Sequence, residues 1–267
     1  MKNSNIVNIG IPIYDGVDSL DTIGAFQAFF LLSGGQKYRP FLISEDGKPV
    51  TSLEGISLGV KYSFADCPPL DVLFVPGAAG YPDGFPDSRA QKVENNRKEA
   101  SLIKFREPYL QFLAESAKTA TWVTGVCTGT ILMAAAGLLD GRRATTHWAF
   151  KNSLELFPEV IVVDGYPSYV VDGNVVTGGG ISSTIDCGLK IGALIAGDQT
   201  AKNAQLTMQY APNPQFKVGN PNLADEQTLK ETTANMADLV AGTAKTVTAF
   251  LDPKRKKARI SRDTKKL

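Results

Sequence analysis

Apolar and polar positions along this chain alternate between a strand-like period and a helix-like one. Val7-Asn8-Ile9-Gly10-Ile11-Pro12-Ile13-Tyr14 is rich in β-branched residues and predicts a buried first strand. Asp15-Gly16 turns the chain, and residues 23–32 predict an apolar helix stopped by Gly34-Gly35. Residues 38–44 predict a second strand, and residues 48–60 a hairpin excursion turning at Glu54-Gly55. Residues 71–75 predict a third strand, ending in Pro76-Gly77-Ala78-Ala79-Gly80. The polar stretch 81–105 predicts a surface insertion, and 108–117 a helix. An extended apolar run at 119–124 then leads into a solidly apolar helix at 131–139, stopped by Asp140-Gly141. Strands are expected at 142–146 and 160–163, with a short helix at 150–157 between them. Residues 169–171 and 175–177 predict a hairpin across Asp172-Gly173. Gly178-Gly179-Gly180 then opens a helix at 182–196.

This β-α-β alternation with short connections predicts an α/β fold. It would be a flavodoxin-like three-layer sandwich, with a mostly parallel sheet and helices on both faces. Ligands in such sheets gather at the strand carboxyl ends. After Gly197 the pattern changes. Residues 211–222 carry three prolines among Asn and Gly and predict an irregular crossing segment. Residues 224–251 predict one long helix with a stripe of Leu229, Met236, Leu239, Val240, Val247 and Phe250, packed on the main domain or on a partner subunit. The expected division is an α/β domain over 1–222 and a helical extension with a basic tail over 223–267.

The densest chemical signal is Gly125-Val126-Cys127-Thr128-Gly129, set between the extended run and the apolar helix. A strand, a Gly-x-Cys-x-Gly turn and a buried helix form a nucleophile elbow. Such a turn lifts Cys127 above the sheet edge, where the first helical N–H groups are expected to favour its thiolate. Proton transfer needs a partner. The single histidine, His147, is one candidate; it serves either as a supporting catalytic group or as a hydrogen-bonded core side chain. Asp21 is the other. It stands among Leu20 and Ile23, and an apolar setting favours a neutral carboxyl suited to general acid work. Capping of the first helix is the competing role for Asp18 and Asp21 alike. The backbone N–H groups of Gly77, Ala78 and Thr128 are candidates to bind a developing negative charge.

Composition narrows the classes further. The chain has 267 residues, 43% apolar and 21% charged, ordinary for a soluble enzyme with a proper core. No run reaches transmembrane length, and the first residues lead directly into a strand, so a cytoplasmic protein without a membrane partner is expected. Cys67, Cys127 and Cys187 are far apart and odd in number, which predicts a reducing compartment and no disulfide framework. With one histidine and no paired cysteines, no metal site is expected. After Pro253 the chain carries eight Lys and Arg against Asp263, which leaves the body mildly acidic. That tail is expected to be solvated; a nuclear signal is a weaker reading, and Lys265-Lys266-Leu267 is a poor peroxisomal address. No specific nucleic-acid partner is implied.

These motifs carry a resemblance. Val126-Cys127-Thr128-Gly129, followed by Ala136-Gly137-Leu138-Leu139-Asp140-Gly141-Arg142-Arg143-Ala144-Thr145-Thr146-His147-Trp148, resembles the ThiJ/PfpI family of the class I glutamine-amidotransferase-like superfamily. Asp66-Cys67-Pro68-Pro69-Leu70-Asp71 and Gly178-Gly179-Gly180-Ile181 before Asp186 fit the same pattern, and Tyr210-Ala211-Pro212-Asn213-Pro214-Gln215-Phe216 resembles its isonitrile hydratase branch. Asp21, where many members carry glutamate, is similar to the isonitrile hydratase branch. The resemblance implies Cys127 as nucleophile, Asp21 as acid and base, and Thr128 as an assisting residue. It also implies a small isonitrile or related electrophile as substrate, no cofactor, and a homodimer. A cysteine hydrolase or a glyoxalase or deglycase on the same elbow is the alternative. A ligand-sensing regulatory domain is a third reading. It lacks support because the 70 residues after Gly197 are too few for the helix-turn-helix region of about 100 residues that such regulators carry.

Overall fold

The computed structural model describes residues 6–78 and 105–252. The expected insertion at 81–105, Phe105 apart, lies outside the described residues, and so does the basic tail after Asp252.

Five parallel strands and one antiparallel strand make up most of the central sheet. β1 (Val7–Pro12) pairs in parallel with β2 (Tyr38–Ser44) on one side and with β6 (Val72–Val75) on the other. β7 (Trp122–Gly125) lies beside β6, with Val75 opposite Gly125. β11 (Val175–Gly178) lies beside β7, and β10 (Tyr169–Asp172) closes that edge as the antiparallel arm of the Asp172-Gly173 hairpin. Short β5 (Tyr62–Ser63) closes the other edge, giving seven strands in the order β10-β11-β7-β6-β1-β2-β5. β3 (Val50–Thr51) and β4 (Ser57–Leu58) form the expected antiparallel excursion.

Helices cover both faces because the central strands are apolar on both faces. In β6, Val72 and Phe74 enter one cluster and Leu73 and Val75 the other, which is the period-2 alternation of a strand. The Val72–Phe74 face packs against α1 (Ser19–Phe30) and α5 (Ser183–Ala196), through Ala25, Phe29, Cys187 and Ile191. The Leu73–Val75 face packs against α2 (Glu107–Ala117) and α3 (Gly129–Ala135), through Leu110, Leu113, Ile131 and Leu132.

Three elements depart from expectation. The strand expected at 142–146 is only β8 (Arg143–Ala144). It pairs with β9 (Ile161–Val162) in a separate two-stranded sheet. Its ladder stops because Thr145 and Thr146 are engaged elsewhere: the Thr145 N–H donates to Thr177 Oγ1 and Thr146 Oγ1 donates to the Cys127 carbonyl. The helix expected at 150–157 is a 3-10 turn, Trp148–Phe150, followed by short α4 (Lys151–Leu154). An unexpected helix, α6 (Asp198–Thr207), follows Gly197 and buries only Ala201 and Ala204.

The long helix α7 (Glu226–Leu251) forms as its stripe requires. Asp225 caps it by accepting from the Thr228 N–H at 2.9 Å. Leu239 and Val247 are buried in the second cluster, with Met236, Val240 and Phe250 packed beside them, so the stripe closes on the α/β body. α7 thereby backs the Trp148–Phe150 turn and α4, next to His147.

Candidate active site

β1, β6, β7 and β11 all end at one rim of the sheet, and the loops that follow them converge there. At the end of β7 the chain turns into α3 within a few residues. Cys127 stands at the apex with φ +52°, in the left-handed region, which costs a side-chain-bearing residue about 1–2 kcal/mol. Contacts on every side hold it there. The Cys127 N–H donates to Gly179 O at 2.9 Å and the Gly129 N–H to Val126 O at 2.8 Å. Thr146 Oγ1 donates to Cys127 O at 2.6 Å. A strained strand-to-helix elbow is thus present with Cys127 at its apex, and Thr146 is bolted to it.

Both glycines of the adjoining loops answer to crowding. A Cβ on Gly77 would lie 2.7 Å from the Thr128 nitrogen and 2.7 Å from its Oγ1. A Cβ on Gly129 would overlap the Val75 carbonyl oxygen and lie 2.8 Å from the Pro76 carbonyl carbon. Only the absence of a side chain lets the Pro76-Gly77-Ala78 loop ride on the first turn of α3.

Asp21 arrives from α1. Asp18, not Asp21, caps that helix: its Oδ1 accepts from the Leu20 N–H at 2.9 Å and the Asp21 N–H at 3.1 Å. With capping taken, the Asp21 side chain is free to turn inward, and it is fully buried. Its Oδ2 accepts from the Gly77 N–H at 2.9 Å. Its backbone carbonyl accepts from Thr184 Oγ1 of α5 at 2.8 Å, which fixes the first turn of α1. Its Oδ1 is buried without a well-aligned partner among the described residues, and the Cys127 thiol lies against the carboxyl.

Electrostatics overturn one expectation. The Thr128 N–H does act on the Cys127 sulfur in the direction that favours thiolate. Burial is the largest influence, however, and together with the nearby Asp21 carboxyl it pushes the thiol well above its ordinary range. Asp21 is raised as well, by burial first and by the charge of Asp18 second. Burial therefore pushes both groups toward their protonated forms, against the thiolate that helix position alone would favour. Alkylation of Cys127 by iodoacetamide should climb through the alkaline range without a plateau near neutrality. In the alkaline range, where Asp21 ionises, its charge opposes the thiolate, so Asp21→Asn should shift that rise to lower pH. Rates read by mass spectrometry, with Cys127→Ala as control, check both; a plateau reached by neutrality would contradict them. Cys67, raised to about 11 by burial, and Cys187, buried in α5, lie outside the elbow.

The loop amides also behave differently from expectation. The Gly77 N–H is committed to Asp21, and the Ala78 N–H donates to Thr128 Oγ1 at 2.8 Å. Thr128 Oγ1 in turn donates to Ala78 O at 2.7 Å. In this state these two amides hold side chains in place and are not free anion donors; Thr128 is the residue whose N–H is directed at the sulfur. Ala79 and Gly80 lie outside the described residues.

His147 stands near the elbow without joining it. Its Nδ1 accepts from the Ala149 N–H at 3.2 Å, capping the 3-10 turn, so the ring proton belongs on Nε2. Burial pulls the imidazole down to about 4, so it is neutral near pH 7. No hydrogen bond joins His147 to Cys127 among the described residues. The contacts to the elbow come instead from Thr146 and Gly179. The sequence signal for them was the Thr-Thr pair before the histidine and the Gly178-Gly179-Gly180 run.

A mostly parallel sheet with helices on both faces, and a cysteine at a strained elbow beside a buried carboxyl, define the class. The chain belongs to the DJ-1/PfpI family, whose family model matches residues 7–194. It is 36% identical over 225 residues to an isonitrile hydratase from Pseudomonas putida, an alignment covering 84% of this chain and 88% of that protein. It is 30% identical to the HTH-type transcriptional regulator CdhR of Pseudomonas aeruginosa over 65% of this chain, spanning only 45% of that regulator. Among solved structures, a ThiJ/PfpI family protein from Pseudomonas syringae aligns at TM-score 0.73 and 28% identity, over 92% of this chain and 90% of that one. Drosophila melanogaster DJ-1beta shares the fold at TM-score 0.59 and 18% identity, over 78% of this chain and all of that chain. Among the described residues no helix is long and apolar enough to cross a membrane.

Proposed function

We propose that this protein is a cysteine-dependent enzyme that adds water to an isonitrile, R–N≡C, giving an N-substituted formamide. The observation that carries the reading is the buried Cys127–Asp21 pair, a thiol lying against a carboxyl at one strained elbow. Similarity to an isonitrile hydratase along most of the chain supports it.

The chemistry suits such a pair because the isonitrile carbon must take both the sulfur and a proton. The Asp21 carboxyl donates its proton to that carbon while Cys127 Sγ bonds to it, and the thiol proton passes to the other carboxyl oxygen. The product is a thioimidate, R–N=CH–S–Cys127, with Asp21 again protonated. Water then adds across C=N. Its oxygen bonds to the carbon and its proton goes to the carboxyl, while the carboxyl proton goes to nitrogen. The adduct R–NH–CH(OH)–S–Cys127 collapses: the C–S bond breaks, and the hydroxyl proton returns through Asp21 to sulfur. The formamide R–NH–CHO leaves, with atoms and charges balanced at each step. Gly77 positions Asp21, and Thr128 stabilises negative charge on the sulfur. His147, neutral and committed to its cap, is a structural neighbour in this route.

The test is turnover of cyclohexyl isocyanide to N-cyclohexylformamide, with methylglyoxal and a peptide amide in parallel and Cys127→Ala as control. Turnover of the isocyanide lost in the control is the expected result. Turnover of methylglyoxal or the amide alone would assign the elbow to the alternative chemistry.

A further inference from the structure

One polar group at this rim remains without a role. Tyr14 stands two residues past the end of β1, beside both core clusters. The residue as a whole is partly exposed, yet its hydroxyl oxygen is buried and has no hydrogen-bond partner among the described residues. The ring is held edge-on against Tyr109, centroids 5.1 Å apart and planes at 81°. Tyr109 spends its own hydroxyl on Pro12 O at 2.9 Å, so it offers Tyr14 a surface and no competing bond. Burial and the nearby Asp21, Cys127 and Asp18 all raise the phenol, so it stays a neutral O–H donor throughout the working pH range. A buried donor left unpaired is unfavourable, and natural cores rarely keep one without a use. Asp21 Oδ1, at the same rim, has the Cys127 thiol against its carboxyl and no well-aligned partner among the described residues.

We propose that Tyr14 is a substrate-facing donor whose hydroxyl binds the oxygen on the carbon joined to Cys127 Sγ. This rests on Cys127 being the nucleophile. Such an oxygen would give the Tyr14 donor the partner that no described protein group supplies. In isonitrile hydration that oxygen arrives with water and is present only in R–NH–CH(OH)–S–Cys127. The bond therefore favours the second step and leaves substrate binding alone. An aldehyde captured by the thiol, R–CHO adding HS–Cys127 to give R–CH(OH)–S–Cys127, places an oxygen on the same carbon. The two chemistries are thus read by one hydroxyl.

Tyr14→Phe keeps the ring on Tyr109 and deletes only the donor. With cyclohexyl isocyanide, the variant should show kcat lower by about tenfold and KM changed by less than about twofold. Intact-mass spectra at steady state should show more thioimidate on Cys127. Its melting temperature should equal or exceed the wild type's, because an unpaired polar group has gone. An unchanged kcat, or a fall in melting temperature that accounts for the activity loss, would overturn the proposal. The second arm does not depend on isonitrile chemistry. Methylglyoxal protects Cys127 from iodoacetamide to the extent that the aldehyde adduct forms, and Tyr14→Phe should weaken that protection about tenfold. Weakened protection in a protein that leaves isonitriles untouched keeps Tyr14 and rejects the hydratase reading. Equal protection in both proteins, or none in the wild type, rejects Tyr14.

Discussion

Asp21→Asn should abolish turnover and leave the protein at least as stable as the wild type. The two effects have one origin. Asp21 is fully buried, and desolvation raises its carboxyl well above the ordinary 3.8. Unfolding frees that carboxyl to ionise, so the unfolded chain gains from every pH step above its ordinary value. The sign follows from proton counting. Between the ordinary and the raised value the folded state binds more protons, so stability is fully present below the ordinary value and falls as pH rises through that window. An amide in place of the carboxyl removes this loss. Asparagine can still accept from the Gly77 N–H, so the loop contact at 2.9 Å survives. It cannot pass a proton, and the proposed route passes one through Asp21 at each step. The loss of kcat should exceed about a hundredfold, the usual scale of general acid–base catalysis. Turnover of cyclohexyl isocyanide, with melting temperatures at pH 5 and pH 8, checks both halves. The wild type should gain more stability on acidification than the variant does. His147→Ala should cost activity far less. If the order is reversed, with His147→Ala inactive and Asp21→Asn active, the proton route through the carboxylate is wrong.

Much of this arrangement is legible in the sequence, for local reasons. The strand at 72–75 and the hairpin across Asp172-Gly173 follow from apolar runs bounded by turn residues. Long α7 follows from its stripe. The elbow is readable because two glycines flank one cysteine between a strand and a helix. What escapes depends on distant partners. The Gly77 and Ala78 amides look free in sequence, and their acceptors come from Asp21 and Thr128, 56 and 50 residues away. The run at 142–146 has the composition of a strand, but two of its threonines are spent on Thr177 and Cys127. α6 turns only two alanines inward, so it lacks the apolar face that marks a helix. The ionisation of Cys127 is the most instructive case. Helix position argues for a thiolate, and it does act in that direction. Burial and a neighbouring carboxyl, both tertiary facts, outweigh it.

The packing of the loop on the elbow predicts the largest structural effect of a single methyl group. Gly129→Ala should destabilise the fold by about 3 kcal/mol and lower activity beyond what the unfolded fraction explains. The added Cβ would overlap the Val75 carbonyl oxygen and press on Pro76 at 2.8 Å, and these are backbone atoms with no rotamer to change. Neither side has room to give. Val75 is the last residue of a central strand, buried on both faces, and its carbonyl already accepts from the Val126 N–H at 3.1 Å. Gly129 opens α3, every residue of which is buried. Relief therefore requires Pro76-Gly77-Ala78 to lift away from the helix. That movement takes the Gly77 N–H from Asp21 and the Ala78 N–H from Thr128, so both groups beside the sulfur lose their positions together. Gly59→Ala is the control: Gly59 is exposed, has no neighbour within 4 Å of an added Cβ, and should change stability by no more than about 0.5 kcal/mol. Urea unfolding of both variants gives the stability difference. Turnover measured where each protein remains folded separates the displaced loop from simple unfolding. A Gly129→Ala protein as stable and as active as Gly59→Ala would mean the loop and the elbow are not locked together at this point.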